Sequence, residues 1–167
     1  MGGATLELNK TQRDGCGEDA VRRICFVCTG NTCRSPMAAA VANAQARAEG
    51  LSIEALSAGL YAAEGAPISE NAVSALERAG IESEEGADYH THRAHTLTES
   101  ELEQLDLLIP MTRTHAMELL LRYPSAVRKI VCMPEVIRDP FGGDLAVYET
   151  CLSQIRKGVS SLLHTEV

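Results

Sequence analysis

Cys28 and Arg34 are separated by five residues and Ser35 follows at once, in the run Cys28-Thr29-Gly30-Asn31-Thr32-Cys33-Arg34-Ser35. Each part suits chemistry at phosphorus. A cysteine thiolate is a strong nucleophile, and a helix N-terminus just after the loop favours the charged sulfur. Five intervening residues let the backbone curl so that the N–H groups of Thr29, Gly30, Asn31, Thr32 and Cys33 converge on an anion. Gly30 is expected to supply backbone conformations closed to other residues, and Asn31 tolerates a left-handed one. Arg34 presents a planar fork to two phosphate oxygens. Ser35 can donate a hydrogen bond to the thiolate.

A thiolate that displaces a leaving group needs an acid to protonate it. Asp139-Pro140-Phe141-Gly142-Gly143 supplies the candidate. Pro140 holds Asp139 extended. The glycines allow the segment to close over a ligand, and Phe141 is placed to line the pocket mouth.

These residues need a scaffold that puts a strand end against a helix start. Arg23-Ile24-Cys25-Phe26-Val27 reads as a buried parallel strand running into the loop. Ser35-Pro36 is expected to open a helix, Ser35 as its N-cap, over the Ala-rich stretch to Glu49, with Gly50 stopping it. Further strands are expected at Leu51–Ser57, Asp106–Pro110 and Lys129–Cys132. Helices are expected at Ile68–Ala79, after Thr98 and Glu101 as a capping box, at Thr112–Leu121 and at Asp144–Leu163. Ala39, Val41, Leu76, Leu119, Leu120 and Leu152 are candidate core residues. Strands alternating with helices imply an α/β fold with a parallel, doubly wound sheet. Such sheets hold ligands at the C-terminal ends of their strands, which is where Cys28 falls.

Composition narrows the rest. The 167 residues suit one domain at 22–167 behind a polar extension at 1–21. Net charge is −8, which argues against nucleic acid as a partner. It also means that attraction of an anionic substrate must come from local N–H groups and arginines. No apolar run suits a membrane span or signal peptide, so a cytoplasmic protein is expected. The six cysteines, among them Cys16, Cys132 and Cys151, are expected to be reduced. Cys28 and Cys33 lack zinc-site spacing, and His90, His92 and His95 are not read as ligands, so neither metal nor cofactor is expected. Cys33, beside the nucleophile, is a candidate to close a reversible disulfide with Cys28 under peroxide.

The run from Val27 to Met37 resembles the signature of the low-molecular-weight protein tyrosine phosphatase family. Ser57-Ala58-Gly59, Asp139-Pro140-Phe141 and the last helix recur in the right order. The resemblance implies a three-layer sandwich with a four-stranded parallel sheet of order 2-1-3-4. It implies Cys28 as nucleophile through a phosphocysteine, Arg34 as clamp, and Asp139 as general acid and then base. It implies that Asn31, Ser35, Ser57 and His92 fix the loop.

Thr32 stands where tyrosine phosphatases of this type carry a larger aliphatic residue. Together with Asp-Pro-Phe-Gly-Gly, this is similar to the bacterial protein-arginine phosphatases. A smaller, hydroxyl-bearing Thr32 suits a polar phosphoguanidinium, and the chain has no Trp, two Phe and four Tyr for stacking on a phenyl ring. Phosphorylated proteins are the expected partners, inorganic phosphate the product, and a monomer the expected state. Phosphotyrosine is the alternative substrate. A thiol-dependent arsenate reductase fits less well, because no cysteine lies between Tyr89 and Leu120. A binding module without catalysis would have lost the nucleophile, the arginine or the acid, and all three are present. Two departures from the family pattern lie at the rim: Thr112 replaces a frequent Asp, and the 133–138 connection is short.

Overall fold

The structure is a computed structural model that describes residues 20–167. The expected extension falls largely outside the described residues, as does Cys16. Three strands form a parallel sheet of order β2-β1-β3: β1 Arg22–Cys28, β2 Ile53–Gly59 and β3 Leu107–Pro110. Five helices flank it: α1 Arg34–Glu49, α2 Glu70–Arg78, α3 Glu99–Leu102, α4 Arg113–Arg122 and α5 Leu145–Thr165.

Central strand β1 pairs on both edges, which explains its apolar run. Its side chains alternate between two cores, as strand geometry requires. Ile24, Phe26 and Cys28 face a core shared with α1, α2 and α5. Cys25 and Val27 face a second core with Leu102 of α3 and Leu119 of α4. Three layers result, as expected. Of the candidate core residues, Ala39, Val41, Leu76, Leu119 and Leu152 are buried, whereas Leu120 is half-buried.

The expected fourth strand shrinks to one parallel bridge, Leu108 to Ile130. Val131 N–H donates to the Leu108 carbonyl, and Met133 N–H reaches the Pro110 carbonyl at 3.4 Å. Continuing the ladder would require an N–H on residue 110. Proline has none, so the pairing stops.

Local chemistry sets the helix ends. Ser69, Thr112 and Asp144 each accept a backbone N–H at the start of α2, α4 and α5. Glu101 accepts from the Thr98 N–H at 2.8 Å, the expected capping interaction of α3. Helix α1 ends at Gly50 in the left-handed region, φ 67°. No described helix is long and apolar enough to cross a membrane.

Candidate active site

Parallel pairing carries on past the strand ends and fixes the loop's start. Leu60 N–H bonds the Cys28 carbonyl and Tyr61 N–H the Thr29 carbonyl, both at 2.9 Å. This close approach explains Gly59. A β-carbon there would sit 2.6 Å from the Thr29 carbonyl oxygen.

The loop then turns at Asn31, whose φ is 56°. Gly30 does not adopt a positive φ, and a β-carbon on it would meet only Thr32 Oγ1 at 3.9 Å. The expectation that Gly30 supplies the unusual backbone is therefore corrected: asparagine takes the left-handed position. Helix α1 begins at Arg34, one residue before Ser35, with Cys33 as its N-cap and no side chain capping it. Ser35 is thus inside the helix and faces the loop instead of capping. The first N–H groups of α1 are left to a ligand, and no acidic residue lies in its first turn.

Cys28 sits buried at the centre. Its Sγ lies 3.0 Å from Ser35 Oγ and accepts the Asn31 N–H at 3.3 Å. Asn31 has no exposed surface and is tied on all sides. Its Nδ2 donates to Ser35 Oγ at 2.9 Å and to Ser57 Oγ at 3.0 Å. Its Oδ1 accepts the His95 N–H at 3.1 Å, and its carbonyl accepts His92 Nε2 at 2.7 Å. Burial lowers the His92 pKa, although the Asn31 carbonyl pulls the other way. The neutral imidazole with its proton on Nε2 suits this bond.

Arg34 is buried, and its guanidinium donates to the Ile137 carbonyl at 3.2 Å. Asp139 Oδ2 lies 3.5 Å from Arg34 Nη2. The carboxylate side chain is 55% exposed, so Asp139 stands at the mouth while the arginine lies beneath it. Phe141 is 80% exposed, its N–H held by Asp139 Oδ1 at 3.1 Å. Phe141, Thr32, Ile68 and Tyr148 line an open cavity of about 490 Å³ beside the loop.

Cys33 contacts α5. Its Sγ lies 3.3 Å from the Tyr148 hydroxyl of α5, and burial first, then Cys33, pushes that phenol up to about 12. Cys28 and Cys33 are both free thiols. His90 is exposed and bonds Glu77 and Asp88. Among the described residues no three His, Cys, Asp or Glu side chains gather as a metal site.

The structure adds residues that sequence reasoning missed. His115 of α4 is buried, with Nε2 2.9 Å from Thr29 Oγ1 and Nδ1 3.0 Å from Thr112 Oγ1. Burial, and then the Arg34 charge, lower its pKa to about 4. A histidine three residues after a threonine N-cap was the available signal. The His95 backbone, the Ile137 carbonyl and Tyr148 carried none.

Comparison with known proteins agrees with this geometry. The model of the family "Low molecular weight phosphotyrosine protein phosphatase" matches residues 23–167. A protein-arginine-phosphatase of Geobacillus stearothermophilus is 35% identical over 148 residues, covering 84% of this chain and 93% of the relative. One from Bacillus subtilis is 33% identical, covering 80% and 89%. The crystal structure of a low molecular weight protein tyrosine phosphatase from T. tengcongensis superposes with a TM-score of 0.79 at 37% identity, covering 86% of this chain and 98% of that one. With the loop, its supports and the sheet order in place, the chain belongs to the low molecular weight phosphotyrosine protein phosphatase family.

Proposed function

We propose that residues 22–167 form a cysteine-dependent protein phosphatase acting on phosphoarginine. The carrying observation is a single sulfur, Cys28 Sγ, held by Ser35 and the Asn31 N–H at the uncapped N-terminus of α1. That arrangement stabilises an anion and little else.

The Cys28 thiolate attacks phosphorus. The bond from phosphorus to the guanidino nitrogen breaks, and that nitrogen leaves with a proton from Asp139. A phosphocysteine remains, its oxygens facing the loop N–H groups of residues 29–33 and the Arg34 fork. Asp139, now a carboxylate, takes a proton from water as the water attacks phosphorus. Inorganic phosphate departs, and Ser35 stabilises the returning thiolate. Asn31, Ser57 and His92 keep the loop curled, so the donors are in place before the charge develops.

Two features support arginine over tyrosine. Thr32 lines the cavity with a short hydroxyl-bearing side chain, next to the Phe141 loop. Asp139, at the mouth beside Arg34, offers a carboxyl oxygen to accept a guanidinium N–H as well as the proton for the leaving nitrogen. Two similar proteins also carry the name protein-arginine-phosphatase.

Side-by-side kinetics on proteins bearing phosphoarginine and phosphotyrosine test the proposal. Phosphate release should persist with chelator, vanish in Cys28→Ser, and favour phosphoarginine. Thr32→Ile should move the ratio toward phosphotyrosine. Equal or reversed preference in the wild type would leave the tyrosine reading instead.

A further inference from the structure

We infer that His115 is a positioning residue that turns the Thr29 hydroxyl proton toward the phosphoryl group held in the loop. The inference rests on the reading of that loop as an oxyanion cradle. It comes from following the hydrogens through one chain of bonds that runs from half-buried Thr112 through buried His115 to Thr29 at the surface. The His115 backbone N–H donates to Thr112 Oγ1 at 3.2 Å, so that oxygen is already an acceptor. The same oxygen lies 3.0 Å from His115 Nδ1. If Nδ1 accepts, the Thr112 hydroxyl takes the backbone N–H on one lone pair and spends its only proton on the ring. The ring proton then sits on Nε2 and points at Thr29 Oγ1, 2.9 Å away. Thr29 receives that bond, and its own proton is left over for a ligand.

The opposite tautomer gives a poorer account. Nδ1–H would donate to Thr112, whose proton would have no acceptor among the described residues. Thr29 would spend its proton on the histidine and offer only lone pairs at the mouth of an anion site. An imidazolium would do likewise at Thr112, and burial beside Arg34 disfavours it. The surrounding charges are Arg34, Glu118 and Asp139, and the two carboxylates only partly offset that preference. Thr29 is the residue directly after Cys28, at the start of the loop.

The test begins with the wild-type protein carrying ¹⁵N-labelled histidine. Imidazole ¹⁵N shifts at neutral pH should report His115 protonated on Nε2 and bare on Nδ1. A proton on Nδ1, or on both nitrogens, overturns the inference, and this readout needs no variant to fold. Kinetics on an aryl phosphate and on a phosphoarginine protein give the second arm. Thr29→Val and His115→Leu should each lower kcat/KM about tenfold, the scale of one hydrogen bond to a charged group. The double variant should be no worse than either. His115→Gln, which keeps an N–H near the place of Nε2, should stay within about threefold of wild type. Independent, multiplying losses, or a Gln variant as poor as Leu, overturn the positioning role. Wild-type enzyme that releases no phosphate in a Cys28-dependent way sinks the proposed function. An active enzyme with the wrong tautomer sinks only this relay.

Discussion

The back of the loop and its mouth are built on opposite plans. Behind the sulfur, Asn31 alone makes bonds to Ser35, Ser57, His92 and the His95 N–H, and has no exposed surface. At the mouth, Asp139 and Phe141 are mostly exposed and are tied to each other by one bond of 3.1 Å. The first region has many constraints per residue and the second few. Preorganised donors at a charged transition state gain from the first plan, because nothing has to reorganise as charge develops. A group that must approach a leaving group and then a water gains from the second. The caps repeat the contrast. Helices α2, α4 and α5 satisfy their first N–H groups with Ser69, Thr112 and Asp144, and α1 leaves its own to a ligand.

The comparison breaks most sharply at Asp139. Asp139→Asn should lower kcat by about 10²–10⁴-fold, the usual worth of a positioned acid. Stability should change by less than ~1 kcal/mol, since the Arg34 contact is long and the carboxylate half in water. Steady-state kinetics and a urea melt on one preparation check both halves. A large loss of stability would mean that the mouth is structural after all.

Asn31→Ala should do the reverse. It leaves Ser35, Ser57 and the His95 N–H without their shared partner and puts alanine at φ 56°. A loss of about 3 kcal/mol is expected, with activity falling in parallel as the loop relaxes. Asn31→Gly restores the backbone freedom but not the bonds, and should recover only about 1 kcal/mol of that loss. Full recovery by glycine would show that the turn, and not the network, holds the loop.

The two regions also differ in how far the sequence discloses them. The loop is legible because its residues are contiguous: the proposed nucleophile, the turn, the proposed clamp and the helix start occupy eight adjacent residues. Its supports were reachable only through a family resemblance, since Ser57 and His92 reach Asn31 across gaps that no local spacing encodes. The sequence offered both Gly30 and Asn31 for the odd backbone, Gly30 from its intrinsic freedom. In the structure Asn31 takes it, because its side chain gains three partners there, Ser35, Ser57 and the His95 N–H. The fourth strand was apolar enough to be expected. What ended it was a missing N–H on Pro110, in the neighbouring strand and not in the segment itself. His115 escaped notice for a similar reason, since a lone histidine in a helix shows its partner only after folding.

Acid sharpens the comparison, because the buried side carries the histidines. His115 takes up a proton near 6.5 when unfolded and near 4 when folded. Between those values the unfolded chain binds more protons, so stability is full above the window and is lost as pH falls through it. The His115 contribution should be on the order of 2 kcal/mol. Urea midpoints at neutral pH and at about pH 4.5 read it, with His115→Gln as the reference that lacks this titration. His92 shifts in the same direction and remains in both proteins. Equal acid sensitivity of the two would mean that His115 is not held neutral by the fold.

The smallest effect is expected at Phe141. Its ring is 80% exposed, so truncation removes little buried surface and should leave the urea midpoint unchanged. Yet the ring lines the same cavity as Thr32, and a substrate side chain entering there would cover part of it. Phe141→Ala should therefore raise KM a few-fold with kcat nearly constant, the signature of binding shared by ground and transition states. The rise should be greater for a protein substrate than for free inorganic phosphate as inhibitor, because phosphate reaches the loop without touching the ring. A fall in kcat as large as that of Asp139→Asn would instead mean that Phe141 sets the position of the acid, and that the bond between its N–H and Asp139 is the mouth's one rigid joint.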